Sequence, residues 1–138
     1  MDCVQTFQTE LYCKSSMKPN CQTLSFISTV QGPVGETLSD FWSCVWHHEV
    51  RVMVMLTSLV EGDIIKCAKY WPDIDTKVLI FGDLEVTIEE ETDMEDFILR
   101  KFSLTRCDIA QSNVKCITHL QVICLLLIIN YLFLYLNM

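Results

Sequence analysis

The triplet Trp71-Pro72-Asp73 closes the stretch "EGDIIKCAKYWPD", residues 61–73, and sets a carboxyl group where a general acid could act. Eight cysteines, Cys3, Cys13, Cys21, Cys44, Cys67, Cys107, Cys116 and Cys124, could each supply a thiolate as a nucleophile or a metal ligand. Closed zinc sites pair their ligands at short spacings. No Cys-x-x-Cys occurs, and His47-His48-Glu49 is the one cluster of possible ligands nearby. Neither a metal nor a cofactor is expected. A secreted disulfide scaffold would need a signal peptide, whereas "MDCVQTFQTELYCKSSMKPN" has no basic start followed by an apolar core. Reduced, mostly buried cysteines and a cytoplasmic location are the expectation.

The elements that hold these residues must come from one small domain, because 138 residues leave room for a single core. With 18 acidic residues against 10 basic ones, the net charge of −8 works against phosphate-backbone binding, and no nucleic-acid partner is expected. Three zones follow one another: residues 1–30 are polar and weakly patterned, 31–121 carry regular signals, and 122–138 are apolar. In "GETLSDFWSCVWHHEV", Thr37 can cap a helix, with Asp40 completing a capping-box-like pair. Leu38, Phe41, Trp42, Val45 and Trp46 then recur at helical spacing and read as one buried face.

Residues 52–56 form an unbroken apolar run, which suits a strand buried on both sides. Glu61-Gly62-Asp63 signals a turn and a hairpin. "FGDLEVTIEE" alternates, with Leu84, Val86 and Ile88 on one side and Glu85, Thr87 and Glu89 on the other. "EEETDMED" holds six acids in eight positions and reads as a solvated loop. "FILRKFSLTR" and "VKCITHLQ" read as two further strands joined by the polar "CDIAQSN". One helix followed by several strands gives an α/β or α+β arrangement.

Four spaced motifs then stand in order: Gln31-Gly32-Pro33, Asp40-Phe41-Trp42, Val54-Met55-Leu56-Thr57 and Lys66-Cys67-Ala68-Lys69-Tyr70-Trp71-Pro72. Together they resemble the catalytic domain of the protein tyrosine phosphatases, and "IFGD" and "ITHLQ" resemble receptor-type members of the leukocyte common antigen kind. The resemblance covers residues 31–121. It implies an incomplete phosphotyrosine protein phosphatase fold, with one main helix and a mixed sheet, and a family reaction that hydrolyses phosphotyrosine in proteins. It also implies that Tyr70-Trp71-Pro72 belongs to a motif upstream of the acid loop, so Asp73 is incidental. The acid loop would follow "ITHLQ", where the chain reads "VICLLLIINYLFLYLNM".

Phosphotyrosine hydrolysis through a covalent intermediate needs a thiolate and an arginine whose fork clamps the phosphoryl oxygens. In the family one loop supplies both, as a cysteine followed six positions later by arginine. Six positions after the eight cysteines stand Thr9, Pro19, Ile27, Val50, Asp73, Asn113, Val122 and Asn130. None is arginine. Cys44 comes nearest, with Arg51 seven positions on, but it falls within the expected helix. The resemblance assigns supporting roles to Glu61, which pairs with the clamping arginine, and to Lys66, which approaches the acid. Without those partners they read as an exposed Glu and Lys on a hairpin. Tyr12 lacks the neighbours of the family's recognition loop.

The expected function is therefore that of a truncated receptor-type phosphatase domain without turnover of its own. The alternatives are a phosphatase-like binding or decoy module, and a small tail-anchored membrane protein. The 17 residues from Val122 just reach spanning length, with thin basic flanks, so membrane contact through 122–138 is the alternative location. Codons available for Val122 and for "LSFISTV" also fit intron-derived ends. Open strand edges and the apolar tail predict self-association.

Overall fold

In the computed structural model, residues 9–14, 25–107 and 113–123 are described. Strands β1 (Thr9–Lys14) and β2 (Ser25–Val30) lead into a 3-10 turn at Gly35–Thr37 and helix α1 (Leu38–His47). Strand β3 (Val52–Met55) and a short hairpin, β4 (Val60–Glu61) with β5 (Ile64–Ile65), follow. The chain continues through β6 (Val78–Phe81), β7 (Leu84–Met94), β8 (Phe97–Arg106) and β9 (Lys115–Val122). Seven of these strands form one sheet in the order β2-β1-β3-β9-β8-β7-β6. β3 and β9 pair in parallel, Val52 opposite Thr118 and Met55 opposite Gln121, and the other neighbours run antiparallel. Among the described residues this is an α/β arrangement with one α-helix and a mixed sheet.

Alternation decides which side of the sheet is covered. Leu84, Val86 and Ile88 of β7, Phe102 and Leu104 of β8, and Ile117 of β9 are all buried. Their registers put Val86 opposite Leu104, Ile88 opposite Phe102 and Phe102 opposite Ile117, so they share one face. Onto it packs the apolar stripe of α1, where Phe41, Trp42 and Val45 are buried and Leu38 and Trp46 are partly so. The Trp42 ring meets Phe102 edge-on at 6.1 Å and lies nearly parallel to Phe81 at 6.1 Å. Burying a side chain of this size contributes on the order of 1.5–3 kcal/mol, which is why the aromatic stripe seats the helix. The middle of β3 is buried, as its unbroken apolar run requires.

Three expectations are corrected. Residues 1–30, expected to lie outside the regular region, contribute β1, whose backbone ladders onto β3, and β2, which ladders onto β1, without needing an alternating pattern. Most of the six-acid stretch, residues 89–94, extends β7, and only Glu95 and Asp96 form the connecting turn. Glu90 and Glu91 there meet Lys101 and Arg100 of β8 at 2.6 and 2.5 Å, and Ser103 donates to Glu89 at 2.6 Å. Cross-strand pairing of this kind offsets the repulsion that composition alone suggests. A register shift between Ile88 and Glu90 absorbs one residue there. Thr37, finally, does not cap α1. Its hydroxyl accepts from the Val34 N–H at 3.1 Å and donates to the Val34 carbonyl at 3.2 Å, closing the preceding turn, and no capping box with Asp40 forms.

Candidate functional site

The chemically rich part of the molecule lies where the Lys66-to-Pro72 segment crosses the inner face of β8 and β9. Tyr70 and Trp71 are buried, and the Trp42 indole N–H donates to the Tyr70 carbonyl at 2.8 Å, which ties the segment to α1. A 2.7 Å hydrogen bond joins the Tyr70 hydroxyl to Nε2 of His119, itself fully buried on β9. Beside them Arg100 of β8, 5 % exposed, lays its guanidinium over the Trp71 ring at 4.6 Å. Its Nε donates to Glu91 at 2.5 Å and its Nη1 to Gln121 at 2.8 Å.

Burial dominates the electrostatics here. It pushes the His119 pKa down to about 3, helped by the nearby Arg100 charge, so the ring is neutral at ordinary pH. Burial likewise raises the Tyr70 hydroxyl far above its ordinary value, with Cys67 adding to the rise and Arg100 opposing it. Among the described residues, no hydrogen-bond partner reaches the buried His119 Nδ1. A neutral histidine closed off from solvent cannot exchange protons with a bound substrate. The arrangement acts as a clasp that fixes the Tyr-Trp-Pro segment against the sheet.

The sequence-assigned residues lie next to this clasp. Glu61 and Lys66 flank the β4–β5 hairpin, beyond the carboxyl end of β3, and Lys66 Nζ stands 3.3 Å from Glu61 Oε2. The Glu61 side chain is 73 % exposed, as expected, but that of Lys66 is only 9 % exposed. The N–H groups of Lys66 and Cys67 both donate to the Leu59 carbonyl, at 2.8 and 3.3 Å, and draw this end of the hairpin inward. Asp73 pairs with Lys69 four residues earlier and is two-thirds exposed, which suits an incidental surface carboxylate.

The cysteines correct a further expectation. Among those described, Cys67 is buried, Cys44 is half-buried within α1, and Cys107 and Cys116 are exposed. Burial pushes the Cys67 thiol up to about 11, the reverse of what a nucleophile requires. His47 Nδ1 donates to the Ser43 carbonyl at 2.7 Å, one turn back along α1, and no group of three metal-ligating side chains occurs among the described residues.

Arg100, His119 and Gln121 escaped the sequence reading, although a signal for them existed. Arg100 shares the inward parity of Phe102 and Leu104, and His119 and Gln121 share that of Ile117.

A family model described as Protein-tyrosine phosphatase matches residues 6–124, which takes in β1, β2 and the whole clasp. The chain belongs to the protein-tyrosine phosphatase family. Among curated relatives of this family member, a Tyrosine-protein phosphatase Lar-like of Caenorhabditis elegans is 40% identical over 97 residues, 70% of this chain and 4% of the relative. Receptor-type tyrosine-protein phosphatase C of Homo sapiens is 35% identical over 91 residues, 66% of this chain and 7% of its own length. Receptor-type tyrosine-protein phosphatase eta of Gallus gallus is 31% identical over 105 residues, 76% of this chain and 7% of its own. The chain thus spans less than a tenth of the length of these relatives.

Proposed function

We propose that this 138-residue chain is a partial receptor-type phosphatase domain that does not itself hydrolyse phosphotyrosine. The observation that carries the reading is the state of its cysteines: none is followed six positions later by arginine, Cys67 is buried with a raised pKa, and Cys44 sits inside a helix. A phosphoryl-transfer thiol must instead be held deprotonated in a loop of backbone N–H groups beside an arginine fork. Glu61 and Lys66, to which the family resemblance assigns a clamping arginine and an acid-loop aspartate, support the reading as well, since they lie 3.3 Å from each other. The names of the relatives suggest tyrosine-phosphorylated proteins as the partner class and a receptor-type parent; a cytoplasmic place for this segment is part of the same proposal. No helix among the described residues is long and apolar enough to cross a membrane, and the tail beyond residue 123 lies outside the described residues.

A second reading has one observation in its favour. The inner face of the sheet is closed by α1 and the Tyr70–His119 clasp into a continuous apolar core, as a binding or decoy module would need. Phosphate release from a phosphotyrosine peptide tests the first reading, with none expected. Saturable binding of that peptide without release would move the second ahead.

A further inference from the structure

α1 and the Lys66-to-Pro72 segment both lie on the inner face of the sheet, where Met53 and Met55 of β3 join the buried core. Ladder register turns the alternate residues to the outer face, and there they sort by polarity along the strands. One end carries Glu85 and Glu89 of β7 and Lys101 of β8. At the other, Val54, Leu120, Leu99 and Thr92 form one row across β3, β9, β8 and β7, and Val122, Phe97 and Met94 form the next. Neither row carries a charge. Val54 is 5 % exposed, although the core around α1 does not include it. β9 runs into this apolar end and stops there at Val122, followed by Ile123, which is 59 % exposed. The chain therefore leaves the sheet at the border of the apolar rows. Residues 124–138 come next, without charge, proline or glycine, and all but the first lie beyond the residues that the family model matches.

We propose that residues 124–138 turn back over the apolar end of the outer face of their own chain and cover Val54, Leu99, Leu120 and Val122. Reach permits it. The apolar rows cross four strands, about 14 Å at the usual strand spacing, and a segment of this length spans about 22 Å as a helix or about 50 Å extended. Polarity matches as well, since an uncharged segment loses nothing on uncharged rows and would desolvate Glu89 and Lys101 if it continued to the other end. Cover should stop short of those two. Covalent attachment then favours this occupant over others, because it presents the segment to the face at about millimolar effective concentration. A second copy of the chain has to compete at its own, lower concentration. Apolar surface on both partners leaves water in the same contact.

Photo-cross-linking of the full chain tests the proposal, with a benzophenone side chain placed at position 99 or, where substitution is easier to tolerate, at Met94, which is 42 % exposed. Peptide mapping should find the adduct on residues 124–138, and a probe placed at Glu85 should give none there. Isotope-labelled and unlabelled chains mixed before irradiation should give unmixed adducts, in a yield that dilution does not change. Leu127→Asp combined with Leu132→Asp should lower the yield at least tenfold and leave the tryptophan emission of the core as it is. Probes at 99 and 94 that both fail to label the tail would overturn the proposal. Mixed-isotope adducts would overturn it in favour of a second copy. Loss of the adduct on adding phosphatidylcholine vesicles, with the chain floating among them, would overturn it in favour of a bilayer.

Discussion

The hydroxyl of Tyr70 and Nε2 of His119 stand 2.7 Å apart, 49 positions distant in the chain, and both side chains are fully buried. The pair joins the Tyr-Trp-Pro segment to the last described strand. Because His119 is buried neutral, the fold is coupled to pH. The ordinary histidine value is 6.5, and in the folded chain it is about 3. Between those values the unfolded chain binds a proton that the folded chain does not, so stability falls as pH drops from 6.5 toward 3. The slope approaches about 1.4 kcal/mol per pH unit. Urea midpoints followed by tryptophan fluorescence should show this decline, and His119→Gln should flatten its upper part. Asp83 and Glu90, held below the usual carboxylate range by hydrogen bonds from Arg106 and Lys101, act only lower on the scale.

Arg100 contributes through its shape as well as its charge. Arg100→Lys keeps the cation but loses the planar fork that reaches Glu91 and Gln121 and stacks on Trp71. The expected cost is about 1.5–3 kcal/mol, read as a lower urea midpoint. A change under about 0.5 kcal/mol would show that the stack and the two bonds do not hold the clasp.

Thiol labelling separates the cysteines by environment. In the native chain Cys107 and Cys116 should react with an aromatic disulfide reagent before Cys67, whose thiol is buried and raised to about 11. Peptide mapping after a short exposure reads the order. Early labelling of Cys67 would place it in an open, ionised setting.

Asp73→Asn removes an exposed ion pair with Lys69 and should shift stability by no more than about 0.5 kcal/mol. A larger loss in thermal unfolding would assign the carboxylate a structural role that its exposure does not suggest.

Periodicity carried much of the fold in advance. The stripe from Leu38 to Trp46 specified α1, and the alternation from Leu84 to Ile88 specified which side of β7 is covered. Local pattern could not show that β1 and β2 join the sheet, because their place depends on backbone pairing with β3 far along the chain. Nor could it show β7 continuing through acidic residues, since the cations that offset them lie on β8. Of the site, the motifs located Glu61, Lys66 and the Tyr-Trp-Pro segment. They could not reveal that Lys66 is covered, because the Leu59 carbonyl that draws it inward is not encoded in the motif. The polar clasp was legible only to a parity count that admitted Arg100 and His119 among inward residues, against the usual preference of such residues for water.

We propose that this chain has the outline of a protein-tyrosine phosphatase without its turnover. The most direct measurement is a single-turnover reaction of stoichiometric purified chain with a phosphotyrosine peptide, following released phosphate together with phosphate adducts on cysteine by mass spectrometry. No release above the peptide alone and no phosphocysteine are expected. Release, or an adduct, that is abolished by Cys44→Ser or Cys67→Ser would contradict the account.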